Sequence, residues 1–414
     1  MSFELSWSGK RTRTELDAMR ESAVQLEDYP LVWLKNDVSV FHGNAEDILA
    51  ALPENSIDIV YIDPPYNSRQ KFKTYSDDFA IPVAEYKQEH QIKGKLTSLE
   101  ECDRLHCRWL TLMQSCLYQA RCVMRNDAIL FISCDEHELY NLKVLCDEIF
   151  HPSNFIGQLN WMKTETPANL ARKLKRKIEY ILVYQGGENK ERFYGTEKKS
   201  KSSNGLMNQS NKVREIIFSA NKVKTALPDK IYEPGKYGSA SYDIELLAPT
   251  RVAGHLFVEP IHLRGKFKWS QDKVIAEENN PDTEIFIQSE AFSPSYIRHG
   301  VTSRDVPTNF ISKEECGVQT SEDATKHLKT CFGGDTVFDY PKPVSLIQFL
   351  IEFRNLSNCT VLDFFAGSGT TAEAVLKHNL ETGDCWKTIL IEQDAINISN
   401  IIERLEKNSD KENN

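Results

Sequence analysis

Residues 57–67 read IDIVYIDPPYN. Ile57 to Ile62 is a short, nearly continuous apolar run, the pattern of a strand buried on both faces of a parallel sheet. It stops at Asp63-Pro64-Pro65-Tyr66-Asn67, because neither proline can donate a ladder hydrogen bond. Open α/β sheets bind ligands outside the carboxyl ends of their strands, so this turn is a candidate site. The prolines stiffen it and hold a carboxylate, a carbonyl and an aromatic ring at fixed positions. That set suits a planar amine: Asp63 and the Pro64 carbonyl accept the two hydrogens of an exocyclic NH2, while Tyr66 stacks on the ring.

Working outward, a second strand–turn–helix unit lies near the C-terminus. Thr360 to Phe365 (TVLDFF) reads as a strand, Ala366 to Thr371 (AGSGTT) as a tight turn, and Ala372 to His378 as the start of a helix. Gly367 and Gly369 let the backbone turn sharply and approach a ligand closely. The helix N-terminus that follows favours a negatively charged group. A phosphate-binding P-loop would carry Lys where this chain has Thr370, and a dinucleotide fingerprint would carry Gly where it has Ala372. What remains is a turn suited to a nucleoside-type ligand bearing a carboxylate, lined by Asp363, Phe365, Ala366, Gly367, Ser368, Gly369 and Thr370. Thr388 to Ile391 is the next strand, and Glu392 at its end is placed to accept hydrogen bonds from ribose hydroxyls.

Between these units, Trp109 to Met124 has helical spacing, Ala128 to Ser133 reads as another buried strand, and Leu139 to Phe150 as the helix after it. From about 160 to 330 the pattern is irregular, with turn signals such as PDK, EPGKYG and NNPD. An inserted domain of short strands is predicted there. The tail EKNSDKENN is polar and predicted disordered.

The 414 residues are 40% hydrophobic and 27% charged, enough for a sizeable core. The net charge of −10 argues at first against an undiscriminating nucleic-acid binder. Its distribution argues otherwise. Residues 161–230 hold 16 basic and 7 acidic residues, a +9 block in an acidic remainder. Arg172, Lys173, Lys175, Arg176 and Lys177 are its densest part and candidate DNA contacts, against the alternative of a solvated helix face. None of the ten cysteines forms a CxxC pair, so zinc ribbons and thioredoxin-type motifs are not indicated, and no metal site is expected. No apolar run approaches the ~18 residues that span a bilayer. The start lacks the apolar core of a signal peptide. A cytoplasmic protein with reduced thiols is expected, with no membrane partner.

Taken together, HGNAEDIL (42–49), IDIVYIDPPYN (57–67), FKTYSDDF (72–79), the stretch from Arg108 to Trp161, IEYILVYQ (178–185), DYPKPVSLIQFLI (339–351), VLDFFAGSGTTAEAV (361–375) and ILIEQD (389–394) resemble a known family. It is the β-group of S-adenosylmethionine-dependent DNA amino-methyltransferases, above all the modification (Mod) subunits of type III restriction–modification systems. The resemblance implies an α/β, Rossmann-like sheet in circularly permuted order with an inserted target-recognition domain. The boundaries so implied are an N-terminal extension over 1–35, a catalytic half over 36–160, the insert over 161–335, a cofactor half over 336–405 and a disordered tail over 406–414. It assigns Asp63, Pro64, Pro65 and Tyr66 to catalysis. Asp63, Asp363, Phe365, Gly367, Gly369 and their neighbours in the turn, with Glu392, would hold S-adenosylmethionine, and Lys342-Pro343 would enclose its methionine end. Asn44 stands where the family often has an acidic residue near the adenine, and Phe364 where it has proline.

The activity implied is methyl transfer to N6 of an adenine flipped out of duplex DNA. Cytosine N4 is the alternative amine, although relatives acting on it more often carry Ser at the position of Asp63. RNA and protein amines are further alternatives, and protein-glutamine relatives usually carry Asn there. A P-loop hydrolase lacks its lysine, and a non-catalytic DNA-binding module leaves DPPY and the glycine turn unexplained. A homodimer and a companion restriction subunit are family expectations.

Overall fold

Side-chain alternation along IDIVYI decides which layer each residue joins. A computed structural model of the chain describes residues 4–35, 37–71, 76–167, 172–199, 203–239, 242–299 and 302–411. Two compact units are present: Met1–Gly195 with Val306–Asn414, and Thr196–Asp305.

The first unit is built on a nine-stranded sheet. Its strands are β1 (Leu31–Lys35), β2 (Val38–His42), β3 (Ile57–Ile62), β4 (Met124–Cys134), β5 (Phe155–Met162), β6 (Ile178–Gln185), β7 (Phe310–Ile311), β8 (Thr360–Asp363) and β9 (Lys387–Glu392). They lie in the order β1-β2-β9-β8-β3-β4-β6-β5-β7. From β2 to β4 neighbours are parallel, whereas β1 is antiparallel on β2, and β6 on both β4 and β5. Among its helices are α1 (Arg13–Glu21), α2 (Ala45–Ala51), α3 (Ser98–Val123), α4 (Leu139–Phe150), α5 (Ser321–Cys331), α6 (Val344–Ile351), α7 (Thr370–Thr382) and α8 (Ala395–Lys411).

Val60 and Ile62 of β3 join a core with Ile48 of α2, Trp109 and Leu117 of α3 and Leu142 of α4. Ile59 and Tyr61, one residue out of phase, join a second core with Leu346 and Ile347 of α6 and Val375 of α7. Period-two alternation on a strand buried from both sides produces this split. Four of the six cysteines between 102 and 146, namely Cys107, Cys116, Cys134 and Cys146, pack in the first core as small hydrophobes. Burial pushes the Cys116 and Cys146 thiols well up, which suits inert packing groups.

Chain direction through the parallel strands fixes the site. From β3 the chain crosses over to β4 on one side, and from β8 to β9 on the other. The crossovers therefore diverge between β8 and β3, a topological switch point, and the crevice opens at the carboxyl ends of those two strands. DPPY follows β3, and the glycine turn follows β8.

Several sequence boundaries move. Residues 161–195 and 306–335, expected in the insert, belong to the first unit. Trp161 is fully buried, β6 pairs with β4 from Ile129↔Gln185 to Cys134↔Tyr180, and the Trp161 indole donates to the Gln319 carbonyl at 3.1 Å. The N-terminal 35 residues supply the edge strand β1 and helix α1, and Gln114 and Gln119 of α3 bond the backbone of Arg11 and Leu16. The tail, expected disordered from 406, continues α8 to Lys411; Leu405 is buried and Lys407 donates to the Cys331 carbonyl. Capping also extends α3, which begins eleven residues before the predicted start, at a Thr97/Glu100 capping box.

The second unit, Thr196–Asp305, has a seven-stranded and a four-stranded sheet of short strands and one helix, Gln271–Glu278. Its own core is aromatic, with Phe218, Phe257, Phe267 and Phe292 fully buried. Among the described residues no helix is long and apolar enough to cross a membrane.

Candidate active site

Asp63 leaves the end of β3 half-exposed, with its carboxylate held from one side. Lys342 Nζ lies 2.7 Å from both Asp63 oxygens and 2.9 Å from the Tyr66 hydroxyl. The Tyr66 hydroxyl donates to Asp63 Oδ1 at 2.7 Å. Burial alone would lower the Lys342 ammonium, but Asp63 and Glu179 outweigh it and hold its pKa up, so the cation persists. Burial, with Asp63 and Glu179 nearby, raises the Tyr66 hydroxyl well above its ordinary value and keeps it a donor. A carboxylate offers about four acceptor positions. Three of them on Asp63 are taken, and one on Oδ2 stays open.

The rigid turn is braced from behind. The Trp109 indole donates to the Pro65 carbonyl at 2.6 Å, while among the described residues no donor reaches the Pro64 carbonyl. Asn67 takes a left-handed φ of +56° and is buried, with Nδ2 donating to the Leu105 carbonyl at 2.8 Å and to Glu138 at 2.6 Å. Its amide donates to Asp77 at 2.8 Å. The chain leaving Tyr66 is thereby fixed, and the Pro64 carbonyl and the open side of Asp63 are the acceptors left for a ligand.

One strand away, the glycine turn has the opposite electrostatics. Asp363 is buried at the end of β8 and accepts from Thr371 Oγ1 at 2.5 Å and from the Phe365 amide at 3.0 Å. Burial raises its carboxyl to about 7; these donors oppose the shift, and the like charges of Asp63 and Glu392 add to it. Glu392, also raised by burial, accepts from the amides of Gly367 at 2.9 Å, Gln393 at 3.0 Å and Asp394 at 2.9 Å. Gly367 has φ +52°, and a Cβ there would meet the Phe338 ring at 3.0 Å, so both conformation and space require glycine. Beneath the turn, the buried Arg404 of α8 donates to the Ser368 carbonyl at 2.7 Å, to Thr370 Oγ1 at 3.1 Å and to Glu373 at 2.5 Å.

The two predicted groups are therefore gathered at one sheet edge. Lys342, expected beside the cofactor's methionine end, lies in the DPPY group, with Pro343 capping α6 next to it. Asn44 caps α2 through its side chain, beyond the end of β2, where His42 pairs with Glu392 of β9. Phe364 is buried in the first core, a packing residue. Arg172, Lys173, Lys175, Arg176 and Lys177 are all exposed, but not in the second unit: they lie on the β5–β6 connection. Because β6 runs antiparallel to β4, that connection emerges at the carboxyl ends of β3 and β4, on the edge that carries DPPY. Arg176 pairs with Glu136 of the same edge.

Glu179, Lys163, Trp109, Asn67 and Arg404 are the side chains that sequence reading did not assign. Glu179 had one signal, an acidic residue within the apolar strand IEYILVYQ. The others form no local pattern with the groups they hold.

The chain is similar in sequence to known DNA methyltransferases. The family profile described as DNA methylase, of the N6/N4 methyltransferases, matches residues 57–401, from β3 to α8. The type III StyLTI Mod subunit of Salmonella typhimurium is 28% identical over 374 residues, covering 84% of this chain and 51% of that one. The EcoPI Mod subunit of Escherichia phage P1 is 28% identical over 441 residues, 95% of this chain and 64% of that protein. The type II methyltransferase M.KpnI of Klebsiella pneumoniae is 27% identical, covering 86% and 80%. A solved structure, the cytosine-N4-specific PvuII DNA methyltransferase, aligns over 89% of this chain and 86% of its own at 12% identity, with a TM-score of 0.43. The chain thus spans about half to two thirds of the Mod subunits it matches. With the profile running through both turns of the site and over most of the sequence, the chain belongs to the N6/N4 DNA methylase family.

Proposed function

We propose that this chain transfers a methyl group from S-adenosylmethionine to N6 of an adenine flipped out of duplex DNA, at a specific site. The observation that carries this is the pairing, across the switch point, of a preorganised amine acceptor with a glycine turn whose buried acid, Asp363, has only neutral donors among the described residues. S-adenosylmethionine, when bound, supplies an electrophilic methyl group on a sulfonium.

The cofactor-half residues fit such a group. Asp363, raised to about 7 by burial, is an acid short of a positive partner, and the cofactor's methionine end is cationic. Glu392 accepts from three backbone amides and from the Asn397 side chain, which fix its carboxylate at the end of β9, and a ribose hydroxyl would share or displace one of these donors.

On the catalytic side, the adenine amine is a poor nucleophile because its lone pair is delocalised into the ring. Acceptance of its two N–H hydrogens, by the open position on Asp63 and by the Pro64 carbonyl, localises that pair on nitrogen. As positive charge develops there, the fixed carboxylate of Asp63 faces it without reorganisation. Much of the rate then comes from holding amine and methyl in line. Flipping the base costs a few kcal/mol, and stacking on Tyr66 returns about 1–3 kcal/mol. Arg172, Lys173, Lys175, Arg176 and Lys177, at the same edge, would grip phosphates, which gives affinity and register without sequence. The Thr196–Asp305 unit would read the bases. We infer that the chain works in a restriction–modification system in the cytoplasm, with a restriction subunit and a second copy of itself as partners; its similarity to Mod subunits supports this reading.

Duplex DNA incubated with the protein and labelled S-adenosylmethionine should yield N6-methyladenine on nucleoside mass spectrometry. N4-methylcytosine as the sole product would overturn the adenine assignment, and label in RNA or protein but not DNA would overturn the substrate class.

A further inference from the structure

Behind the Asp63–Lys342 pair lies a second carboxylate that the transfer chemistry above does not use. Glu179 is the second residue of β6 and buried. Its Oε1 accepts from Lys163 at 2.9 Å, and its Oε2 lies 3.4 Å from Lys342 Nζ and 3.4 Å from the Tyr66 hydroxyl. Two carboxylates and two ammonium groups thus alternate through the wall of the site: Lys163, Glu179, Lys342, Asp63. The Tyr66 and Trp161 rings cover Lys342, at 5.1 and 6.0 Å from its nitrogen.

We propose that Glu179 is a positioning residue for the amine-accepting carboxylate, acting through Lys342. Glu179 stands on a central strand of the sheet, while Lys342 arrives at the end of a long, flexible side chain. Anchored by Glu179, the ammonium covers one position on each Asp63 oxygen. With Tyr66 on a third, a single direction on Oδ2 is left for an incoming N–H. An isolated buried ion pair is weak evidence of a contribution to stability, since burial costs about what the pairing returns. Four alternating charges converging on the one open acceptor point instead to orientation. A misplacement of about 1 Å at such a group costs on the order of 100-fold in rate.

Glu179 also counts in the charge balance. The charged and titratable groups facing Lys342 are Asp63 and Tyr66 from the turn and Glu179 from β6, with Lys163 beyond Glu179 and Tyr61 of β3 close to Tyr66. Without the Glu179 carboxylate, a buried ammonium keeps Asp63 alone as counter-ion and loses its proton more readily.

This inference rests on the amine-transfer reading of the site, and its test separates the two. Glu179→Gln in the full chain should lower kcat about tenfold or more while KM for S-adenosylmethionine stays within roughly threefold. The alkaline limb of the kcat profile should move to lower pH, and Glu179→Asp should restore part of both. In the ligand-free protein, the 13Cε resonance of Lys342, identified by its loss in Lys342→Arg, should titrate at least about one pH unit lower in Glu179→Gln than in wild type. Wild-type kcat and an unmoved alkaline limb in Glu179→Gln, or an unmoved Lys342 titration, would overturn the proposal. If Glu179→Gln does not fold, Glu179→Thr, which suits a strand and also removes the carboxylate, carries the same readouts, with wild-type behaviour again decisive against the proposal. Should wild type methylate no DNA, the functional reading fails alone, and the Lys342 titration still decides this one.

Discussion

Asp63 and Asp363 end neighbouring parallel strands, yet the protein treats the two acids oppositely. Asp63 is half-exposed and carries a fixed ammonium at 2.7 Å on both oxygens. Asp363 is buried, and its close partners are neutral, a threonine hydroxyl and a backbone amide. The first is complete as it stands, as the proposed site for a neutral amine would be. The second is incomplete and should become a stable carboxylate only when a cation joins it. The proposed methyl donor, with its cationic end, and the proposed uncharged acceptor base fit that asymmetry.

Removing the completed partner should have the largest effect. Asp63→Ala is expected to lower methyl transfer by about 1000-fold or more, comparable to or larger than the loss of one preorganised group at an oxyanion site. Cofactor affinity, read by calorimetry, should change only a few-fold. Full activity in a labelled-transfer assay would show that Asp63 is not the amine acceptor, and the contrast with Asp363 would lose its meaning.

Next in size is the arginine brace under the glycine turn. Burial opposes ionisation of Glu373, but Arg404 and His327 outweigh it and hold its carboxyl at about 2. The sign follows from linkage: a depressed acid contributes stability above its unfolded value of about 4.3, and loses it as pH falls toward 2. That contribution is about 3 kcal/mol. Glu373→Gln should flatten the fall in unfolding free energy between pH 4.5 and 2.5, measured in urea; an unchanged slope would show that the brace adds nothing.

Asp363 itself makes the third test. Below about 7 it is protonated, so a cationic ligand must displace a proton to bind. Affinity for S-adenosylmethionine should rise up to about tenfold per unit as pH climbs toward 7, then level off. In the ligand-free protein the sign reverses. A raised acid adds stability below about 4 and loses it as pH rises through 7. Asp363→Asn should bind more weakly and without the pH dependence, and a pH profile unchanged by that substitution would assign the effect to another group.

How much of this contrast sequence reveals depends on range along the chain. The apolar run before DPPY, the glycines and Glu392 are local patterns with one physical reason each, and the strands, turns and site residues they predict fall together at one sheet edge. The partners do not. Lys342 lies 279 residues from Asp63, and Arg404 lies 36 from Ser368, so only folding makes them neighbours. The insert that sequence predicts is wider than the folded unit for a related reason. The 161–195 stretch is basic and interrupted, yet Trp161 and the alternate residues Ile181 and Val183 pack on the sheet's second face. The charge block and the folded unit are different objects: the densest basic cluster belongs to the first unit, which carries both turns of the site.

The smallest expected effect concerns the brace that DPPY has in place of an arginine. Trp109 is fully buried in the core under β3, and its indole N–H is the donor on the Pro65 carbonyl. Trp109→Phe keeps most of the apolar volume but leaves that carbonyl without its partner. One neutral hydrogen bond contributes about 0.5–1.5 kcal/mol, and a buried acceptor left unmade costs about 1–3 kcal/mol. Since Pro65 is only half-buried, water can reach the freed carbonyl, which places the loss near 1 kcal/mol. A few-fold drop in kcat should accompany it, because the turn that aims the Pro64 carbonyl is no longer pinned one residue downstream. Cofactor affinity should not move, since the glycine turn hangs on Arg404 instead. A variant with weakened cofactor binding but intact kcat would reverse that division and show that the two turns are braced as one.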